Sequence, residues 1–144
     1  ADLFETYAVT TSQTVYIGTL VSFAPGAPTR VRSGAATANY RFAGVVESVV
    51  NDSGSFISAI TGDASGTVRV VVSYGQEILV TCLTAMYTTS NLNKTALLKT
   101  NNEVDGTAVG TAALRQAVGM IMKQESTNLV WVKLRQVGTG DASG

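Results

Sequence analysis

The sequence predicts an all-β fold, a small β-barrel or sandwich, and three observations support this. Short runs rich in Val, Thr, Ile and Tyr recur along the 144 residues. Clusters of Gly, Asn, Asp and Ser separate these runs at roughly 8–12-residue spacing, which is typical of sandwiches and barrels. Two glycine-centred runs, RFAGVVESVV (41–50) and QAVGMIMKQE (116–125), have similar neighbours. A pseudo-duplicated barrel is therefore one form that the fold can take.

The β-forming runs and the turn residues between them divide the chain into elements. The predicted strands are 14–17, 20–24, 30–32, 40–50, 55–61, 67–74, 77–81, 85–88, 96–99, 117–124 and 129–137. The predicted turns are 24–28, 51–54, 62–66, 74–76, 89–93 and 101–106. One stretch, 110–119, is compatible with a single helical turn, so at most one short helix is expected.

The two ends of the chain differ from its middle. Residues 1–14 are predicted to be an extended N-terminal arm, residues 15–137 a single β-domain, and residues 138–144 a flexible tail almost without apolar side chains. The arm has isolated apolar anchors: Leu3, Phe4, Tyr7 and Val9. It forms either an edge strand of its own domain or a strand that pairs with the sheet of a neighbouring subunit. Both alternatives stay open from the sequence.

The two glycine strands belong to a longer pattern. In each half an apolar strand, a loop and a short strand precede the glycine strand, and a Val-rich strand follows it. In this alignment Leu20 corresponds to Leu83, and Gly44 to Gly119. Either a duplication or chance similarity between β segments accounts for the pattern. Glycine inside a strand marks a bulge, a bend or a close backbone approach, so Gly44 and Gly119 are predicted to be matched corners of one closed sheet.

Two strands show their faces through strict alternation. In TVRVVVSY, Val68, Val70, Val72 and Tyr74 share one face, and Arg69, Val71 and Ser73 share the other. In LVWVKLRQV, the only Trp of the chain shares a face with two cations: Trp131, Lys133 and Arg135. Trp131 either covers the rim of the barrel or anchors a protein interface, where Trp and Arg are enriched. The predicted interface residues are Leu3, Phe4, Tyr7, Val71, Trp131 and Arg135.

Composition excludes several functions. Ten basic residues balance ten acidic ones, and charged residues make up only 14% of the chain, against about 25% in typical soluble domains. No basic patch suits nucleic acid, and no apolar run is long enough to span a membrane. A neutral surface of small polar residues suits packing against other subunits. The leading Ala indicates that an initiator Met was removed, which predicts synthesis in the cytosol.

The sequence offers no catalytic machinery. It has no His, its single cysteine, Cys82, lies in an apolar run that predicts a buried side chain, and no known catalytic or phosphate-binding motif is present. NNEVDG (101–106) supplies oxygen ligands for calcium, but the EF-hand spacing is missing and a turn is the better interpretation. The prediction is a protein that is not an enzyme, with no cofactor and no metal.

Several segments together resemble the head decoration (capsid cement) proteins of tailed bacteriophages. They are GTLVSF, FAGVVES and GTVRVVVSYGQEILV in the first half, and AVGMIMKQESTNLVWVKL near the C-terminus. The matching positions are 18–21, 44–45, 68–75, 117–119 and 130–134, and the resemblance covers most of residues 18–137. The loop at 88–110 has no counterpart in the family.

The resemblance implies a structural role. β-Barrel modules of this family bind the outside of the expanded capsid, stabilise it by bridging neighbouring shell subunits, and in many cases act as trimers. The expected partner is the major capsid protein, the expected state is a homo-oligomer such as a trimer, and the expected location is the outer surface of the virion. Two other functions stay open: a tail-tube or fibre-base subunit, and a carbohydrate-binding module.

Overall fold

The computed structural model describes residues 3–27, 29–35, 40–50, 59–82, 95–105, 116–126 and 128–135. Within these ranges the regular secondary structure consists of β-strands. None of these residues forms a helix that is long and apolar enough to cross a membrane. The strands are β1 (Leu3–Val9), β2 (Thr14–Tyr16), β3 (Leu20–Phe23), β4 (Arg30–Ser33), β5 (Arg41–Val49), β6 (Ala59–Thr61), β7 (Arg69–Tyr74), β8 (Glu77–Cys82), β9 (Thr95–Thr100), β10 (Glu103–Asp105), β11 (Ala117–Ser126) and β12 (Leu129–Leu134).

The strands form two closed barrels with the same topology. The first barrel has the order β1-β4-β3-β5-β7, and the second has the order β10-β8-β12-β11-β9. Each barrel contains one parallel pair, β1 with β4 and β8 with β10, and its other pairs are antiparallel. The all-β barrel prediction is therefore confirmed in its duplicated form: β1, β3, β4, β5 and β7 correspond to β8, β9, β10, β11 and β12. Strands β2 and β6 form a separate two-stranded sheet.

The registers of the two barrels match residue by residue around the glycines. In β5, pairing with β3 skips Ala43, the residue directly before Gly44. In β11, pairing with β9 skips Val118, the residue directly before Gly119. A second skipped residue follows three positions after each glycine, in the pairing with β7 and with β12. Two irregularities at equivalent positions identify the barrels as repeats of one structure.

The two glycines are required by close backbone contacts. Gly44 has φ +148°, and a Cβ there would collide with the carbonyl oxygen of Ser73 in β7. A Cβ at Gly119 would collide with the carbonyl oxygen of Lys133 in β12. The prediction that Gly44 and Gly119 are matched corners is confirmed. It is corrected in one respect: the two glycines close two separate barrels and not one sheet, because each barrel needs its own tight corner.

Two expectations on chain organisation change, and several others lie outside the described residues. Residues 3–9 form β1, which pairs with β7 and β4, so the alternative of a strand within its own domain is the one observed, and position 14 does not separate an arm from the barrel. Because β3 corresponds to β9, the counterpart of Leu20 is Thr95. Leu83 lies outside the described residues, as do the strand expected at 85–88, most of the helical turn expected at 110–119, and the tail at 138–144.

A shared core joins the two barrels. The first barrel is filled by its own apolar side chains, among them Val9, Val31 and Val70. The core of the second barrel also includes Leu20 and Phe42 from the first barrel. Cys82 is buried in the second barrel, as predicted, at the position that Val9 occupies in the first. Burial of one barrel's residues against the other makes the two repeats a single packed unit.

A buried polar link also crosses between the barrels. The Gln116 side chain, which is fully buried, precedes β11 of the second barrel. The hydroxyl of Ser22 in β3 donates to Gln116 Oε1 at 2.7 Å, and Gln116 Nε2 donates to the carbonyl oxygen of Ala35 at 2.6 Å. Buried polar groups need such partners, so this link fixes one relative placement of β3 and β11.

The turn between β6 and β7 is organised by one carboxylate. Asp63 Oδ1 accepts hydrogen bonds from the backbone N–H of Thr67 at 2.8 Å and of Val68 at 3.3 Å. Asp63 Oδ2 accepts from the hydroxyls of Ser65 and Thr67. Hydrogen bonds to the charged form favour it, and the hydrogen bond from the Thr67 side chain is the largest cause that lowers the pKa of Asp63 from 3.8 to about 2.

Acid is expected to remove the contribution of Asp63 to stability. The pKa of Asp63 is lower in the folded protein than in the unfolded chain, so the contribution is present above pH 4 and is lost as pH falls from about 4 to about 2. The melting temperatures of the wild type and of Asp63→Asn should therefore differ at pH 7 and converge near pH 2. Thermal unfolding followed by circular dichroism at several pH values measures this. A constant difference across that pH range would contradict it.

Candidate protein interface

The predicted interface residues of β1 separate into exposed and buried ones. Leu3 begins β1 opposite Tyr74. Phe4 is 54% exposed and lies on the outside of the first barrel. Tyr7 points inward: it packs against the core of the first barrel, with its ring 4.9 Å from that of Phe23 in an edge-to-face contact, and burial raises the pKa of its phenol. Strand alternation places Tyr7 on the core side of β1, and its role as an interface anchor stays a prediction.

Val71 and Trp131 occupy the same position in the two barrels. Val71 in β7 lies between Thr6 of β1 and Ser48 of β5. Trp131 in β12 lies between Leu79 of β8 and Lys123 of β11. The two faces predicted from alternation are thus equivalent by duplication but differ in chemistry. Val71, half-buried, has small polar neighbours, whereas Trp131 has a large apolar neighbour and a cation.

Polar partners hold the Trp131 ring in one orientation. The indole Nε1–H donates to Glu125 Oε1 at 2.8 Å. The ammonium group of Lys123 lies 5.6 Å from the centroid of the ring, a cation–π contact. With its edge and one face engaged, the ring is preorganised, so less side-chain entropy is lost when a partner covers it.

The two strands that pair with Trp131 each carry an exposed apolar side chain near it in register. Leu79, directly opposite Trp131, is 43% exposed, and Met122, next to Lys123, is 38% exposed. We call Leu79, Met122, Lys123, Glu125 and Trp131 together the Trp131 surface. Aromatic and Met side chains with one well-placed cation are the composition enriched at the centre of protein interfaces.

Arg135 lies at a different edge of the second barrel. It follows β12, is half-buried, and its backbone N–H donates to the carbonyl oxygen of Val118 at 2.9 Å. Its neighbours there include Thr95 and Met120, around a shallow depression of about 310 Å³. The residues that line this depression do not include Trp131, although Arg135 and Trp131 share a face in the sequence pattern.

Sequence reasoning missed four exposed hydrophobic residues: Tyr16, Leu79, Met120 and Met122. Met120 and Met122 alternate along the glycine strand around buried Ile121, and this alternation was a usable signal. Leu79 had none, because its strand EILVTC is apolar almost throughout.

The described part of the chain shows no metal centre. No group of three or more His, Cys, Asp or Glu side chains within it could hold an ion. The segment considered for calcium begins with a turn at Asn101 and Asn102, as expected, and continues into strand β10. The Thr100 hydroxyl contacts Asn102 Oδ1 at 2.9 Å and Glu103 Oε1 at 3.0 Å, so one side-chain oxygen of each residue has a local partner. No protein-family model, curated protein or solved structure matches this chain.

Proposed function

We propose that this chain is a structural virion protein that binds the outer surface of a tailed-phage capsid and bridges neighbouring shell subunits. The single observation that carries the proposal is the Trp131 surface, an ordered aromatic ring among exposed apolar side chains on a neutral, weakly charged protein. The partner that this surface serves is the major capsid protein. The sequence resemblance to capsid cement proteins supports the same assignment.

The chemistry of the Trp131 surface suits a folded protein partner. Leu79 and Met122 offer apolar area, the ring offers a rigid flat anchor, and Lys123 and Glu125 offer a polar rim. A rigid aromatic centre with a polar rim is the usual arrangement of interface hot spots. Zero net charge avoids long-range repulsion when many copies bind one particle.

Duplication suits the bridging role. Each barrel presents its own outward face, centred on Val71 in one and on Trp131 in the other. Two non-identical faces on one rigid unit can engage two neighbouring shell subunits at once. The second contact is then effectively intramolecular, so modest individual contacts add up to tight binding. Binding to the assembled shell alone also stabilises that shell by mass action.

Trp131→Ala is expected to weaken binding to expanded capsids of the encoding phage by about 30-fold, since truncating a hot-spot Trp costs about 2 kcal/mol or more. The measurement is co-sedimentation of purified protein with capsids at increasing protein concentration. Tyr16→Ala is the matched control, because Tyr16 is 44% exposed on the separate β2–β6 sheet; it should bind like the wild type. The unassembled shell subunit should bind neither protein tightly.

Three outcomes would count against the proposal in different ways. Wild-type protein that ignores expanded capsids would overturn capsid binding itself. Capsid binding that is equal for the wild type and Trp131→Ala would keep the function but remove this surface from it. Spontaneous assembly of the free protein into long tubes, without capsid binding, would favour the tail-tube alternative.

A further inference from the structure

A cavity of about 400 Å³ on the first barrel is lined by two cations. They are Arg30 of β4 and Arg69 of β7, and small or hydroxyl side chains such as Thr6, Thr29 and Ser65 line the same space. No acidic side chain of the described residues is among those that line it. We call this space the arginine cavity, and its charge suits a negatively charged ligand.

Strand register places the two arginines on either side of Ala8. Ala8 pairs with Arg30 across the parallel ladder of β1 and β4, and with Arg69 across the antiparallel ladder of β1 and β7. Residues that pair directly point to the same face of a sheet. This face is the outer one, because the next residue, Val9, lies in the core. With strands about 4.8 Å apart, the Cα atoms of the two arginines are about 10 Å apart, and only a methyl group stands between them.

A glycine keeps the space beside Arg30 open. Gly66 lines the cavity, and a Cβ there would lie 2.9 Å from Arg30 Nη2 and 3.8 Å from the methyl carbon of Ala8. A side chain at position 66 would therefore press against the guanidinium group. Because Ala8 and Gly66 are the two smallest residue types, little side-chain volume fills the space between the two arginines.

Neutral acceptors hold the Arg30 guanidinium in place. Its Nη1 donates to the carbonyl oxygen of Asp63 at 2.9 Å and to Thr11 Oγ1 at 3.1 Å, and its Nη2 donates to the carbonyl oxygen of Ala64 at 3.1 Å. These bonds use only some of the N–H donors of a guanidinium. The Asp63 carboxylate accepts instead from N–H and hydroxyl groups of residues 65–68. The positive charge of Arg30 is thus positioned without an anionic partner among the described residues.

Arg69 is held more loosely than Arg30. Its side chain is exposed, and its hydrogen bond within the described residues goes to the carbonyl oxygen of Thr6 at 3.4 Å. A hydrogen bond of this length is weak, so the guanidinium group can turn toward a ligand at little cost. One arginine is therefore fixed and the other is adjustable, an arrangement that suits a clamp on an anion.

We propose that the arginine cavity binds an oxyanion, a phosphate or a carboxylate, between the guanidinium groups of Arg30 and Arg69. The planar fork of a guanidinium matches both kinds of group, because two N–H donors meet two oxygens. Hydrogen bonds between ionised partners are about twice as strong as neutral ones. The proposal does not rest on capsid binding, because the Trp131 surface belongs to the second barrel.

An NMR titration tests the proposal. Phosphate and glutarate, a small dicarboxylate, are added separately at constant ionic strength, so that screening of surface charges stays the same. The amide signals of Ala8, Gly66 and Arg69 should shift saturably, with a Kd of about 1 mM. Saturation by phosphate alone identifies a phosphate site, saturation by glutarate alone a carboxylate site, and saturation by both a general oxyanion site. Saturation by neither below about 20 mM would overturn the proposal.

Arg69→Gln removes one guanidinium group and should weaken binding about 10-fold. The side chain is exposed, so the barrel should stay folded. Arg41→Gln is the matched control, because Arg41 is another exposed cation of the first barrel and does not line the cavity. Its Kd should equal that of the wild type. Equal weakening by both variants would show dependence on overall charge alone and would overturn the site.

A pair of variants at Thr6 separates the effect of charge from that of size. Thr6 is exposed and lines the cavity, and Thr6→Glu and Thr6→Gln add side chains of nearly equal volume. Only Thr6→Glu offers the arginines a carboxylate of the chain itself, so it should bind the oxyanion about 10-fold more weakly than Thr6→Gln does. Equal affinities of the two variants would overturn the proposal. Signal shifts confined to the surroundings of Lys133 and Arg135, the cations of the depression on the second barrel, would do so equally.

Discussion

Gly119→Ala is expected to destabilise the protein by about 2–4 kcal/mol. The new methyl group would collide with the carbonyl oxygen of Lys133 on the paired strand, and backbone cannot rotate away as the end of a flexible side chain can. Relief requires β11 and β12 to move apart at the point where the second barrel closes. Hydrogen bonds of this corner are then lost together with core packing.

Urea unfolding of the wild type and variant measures this cost, and Gly26→Ala supplies the comparison. Gly26 has φ +75° but nothing within 4 Å of the position of a Cβ, so alanine there costs only the left-handed backbone, about 1–2 kcal/mol. We expect Gly119→Ala to lower the free energy of unfolding clearly more than Gly26→Ala does. Equal costs would mean that β11 and β12 do not approach as closely as described.

Gln116→Leu is expected to cost a comparable 2–4 kcal/mol. The substitution keeps most of the side-chain volume but leaves the Ser22 hydroxyl and the Ala35 carbonyl without the partners that Gln116 provides. Each buried group left without a hydrogen bond costs about 1–3 kcal/mol. Because the link joins the two barrels, its loss should loosen their contact as well as lower stability.

A double-mutant cycle isolates the link. Ser22→Ala removes the hydroxyl, so combining it with Gln116→Leu removes both side-chain partners of the first hydrogen bond. The double variant should be more stable than the sum of the single effects predicts, by about 1 kcal/mol or more. Free energies of unfolding from urea titrations of all four proteins give the coupling. Strict additivity would show that Ser22 and Gln116 do not interact.

The strands that alternate strictly were predictable. Val68 to Tyr74 and Val130 to Leu134 place every second side chain inward, and the structure has β7 and β12 there. Strand β10 was not predictable, because Glu103–Asp105 is short and charged and reads as a turn. These residues form a strand because β8 and β9 pair with them on either side. Pairing with distant strands is not visible in the local sequence.

The duplication was visible only where backbone geometry constrains the side chain. Gly44 and Gly119 persist in both repeats because no other residue fits against the facing carbonyl. At other equivalent positions the residue type differs and only burial is shared, as for Val9 and Cys82. Leu20 and Thr95 differ even in burial, because Leu20 is buried and Thr95 is exposed. An alignment by apolar strands therefore matched the glycines correctly and misplaced the strand at Leu20.

The candidate site was predictable from the sequence at its centre, Trp131, and not at its edges. Trp131 stood out as the only Trp on a strand face shared with cations. The sequence predicts Tyr7 as an interface residue because an extended arm packs no core of its own. Closure of the first barrel places the Tyr7 ring against Phe23 instead. Met120 is exposed, whereas its counterpart Val45 is buried against the second barrel. This difference arises from how the two barrels pack together, so neither strand shows it in its sequence.

A cryo-EM map of the virion of the encoding phage is the most direct test of the proposed function. We expect density for the tandem barrels on the outside of the expanded shell, across a junction between shell subunits, with Trp131 at the contact. Density for the tandem barrels in the tail or fibre base, or their absence from the outer shell, would contradict it.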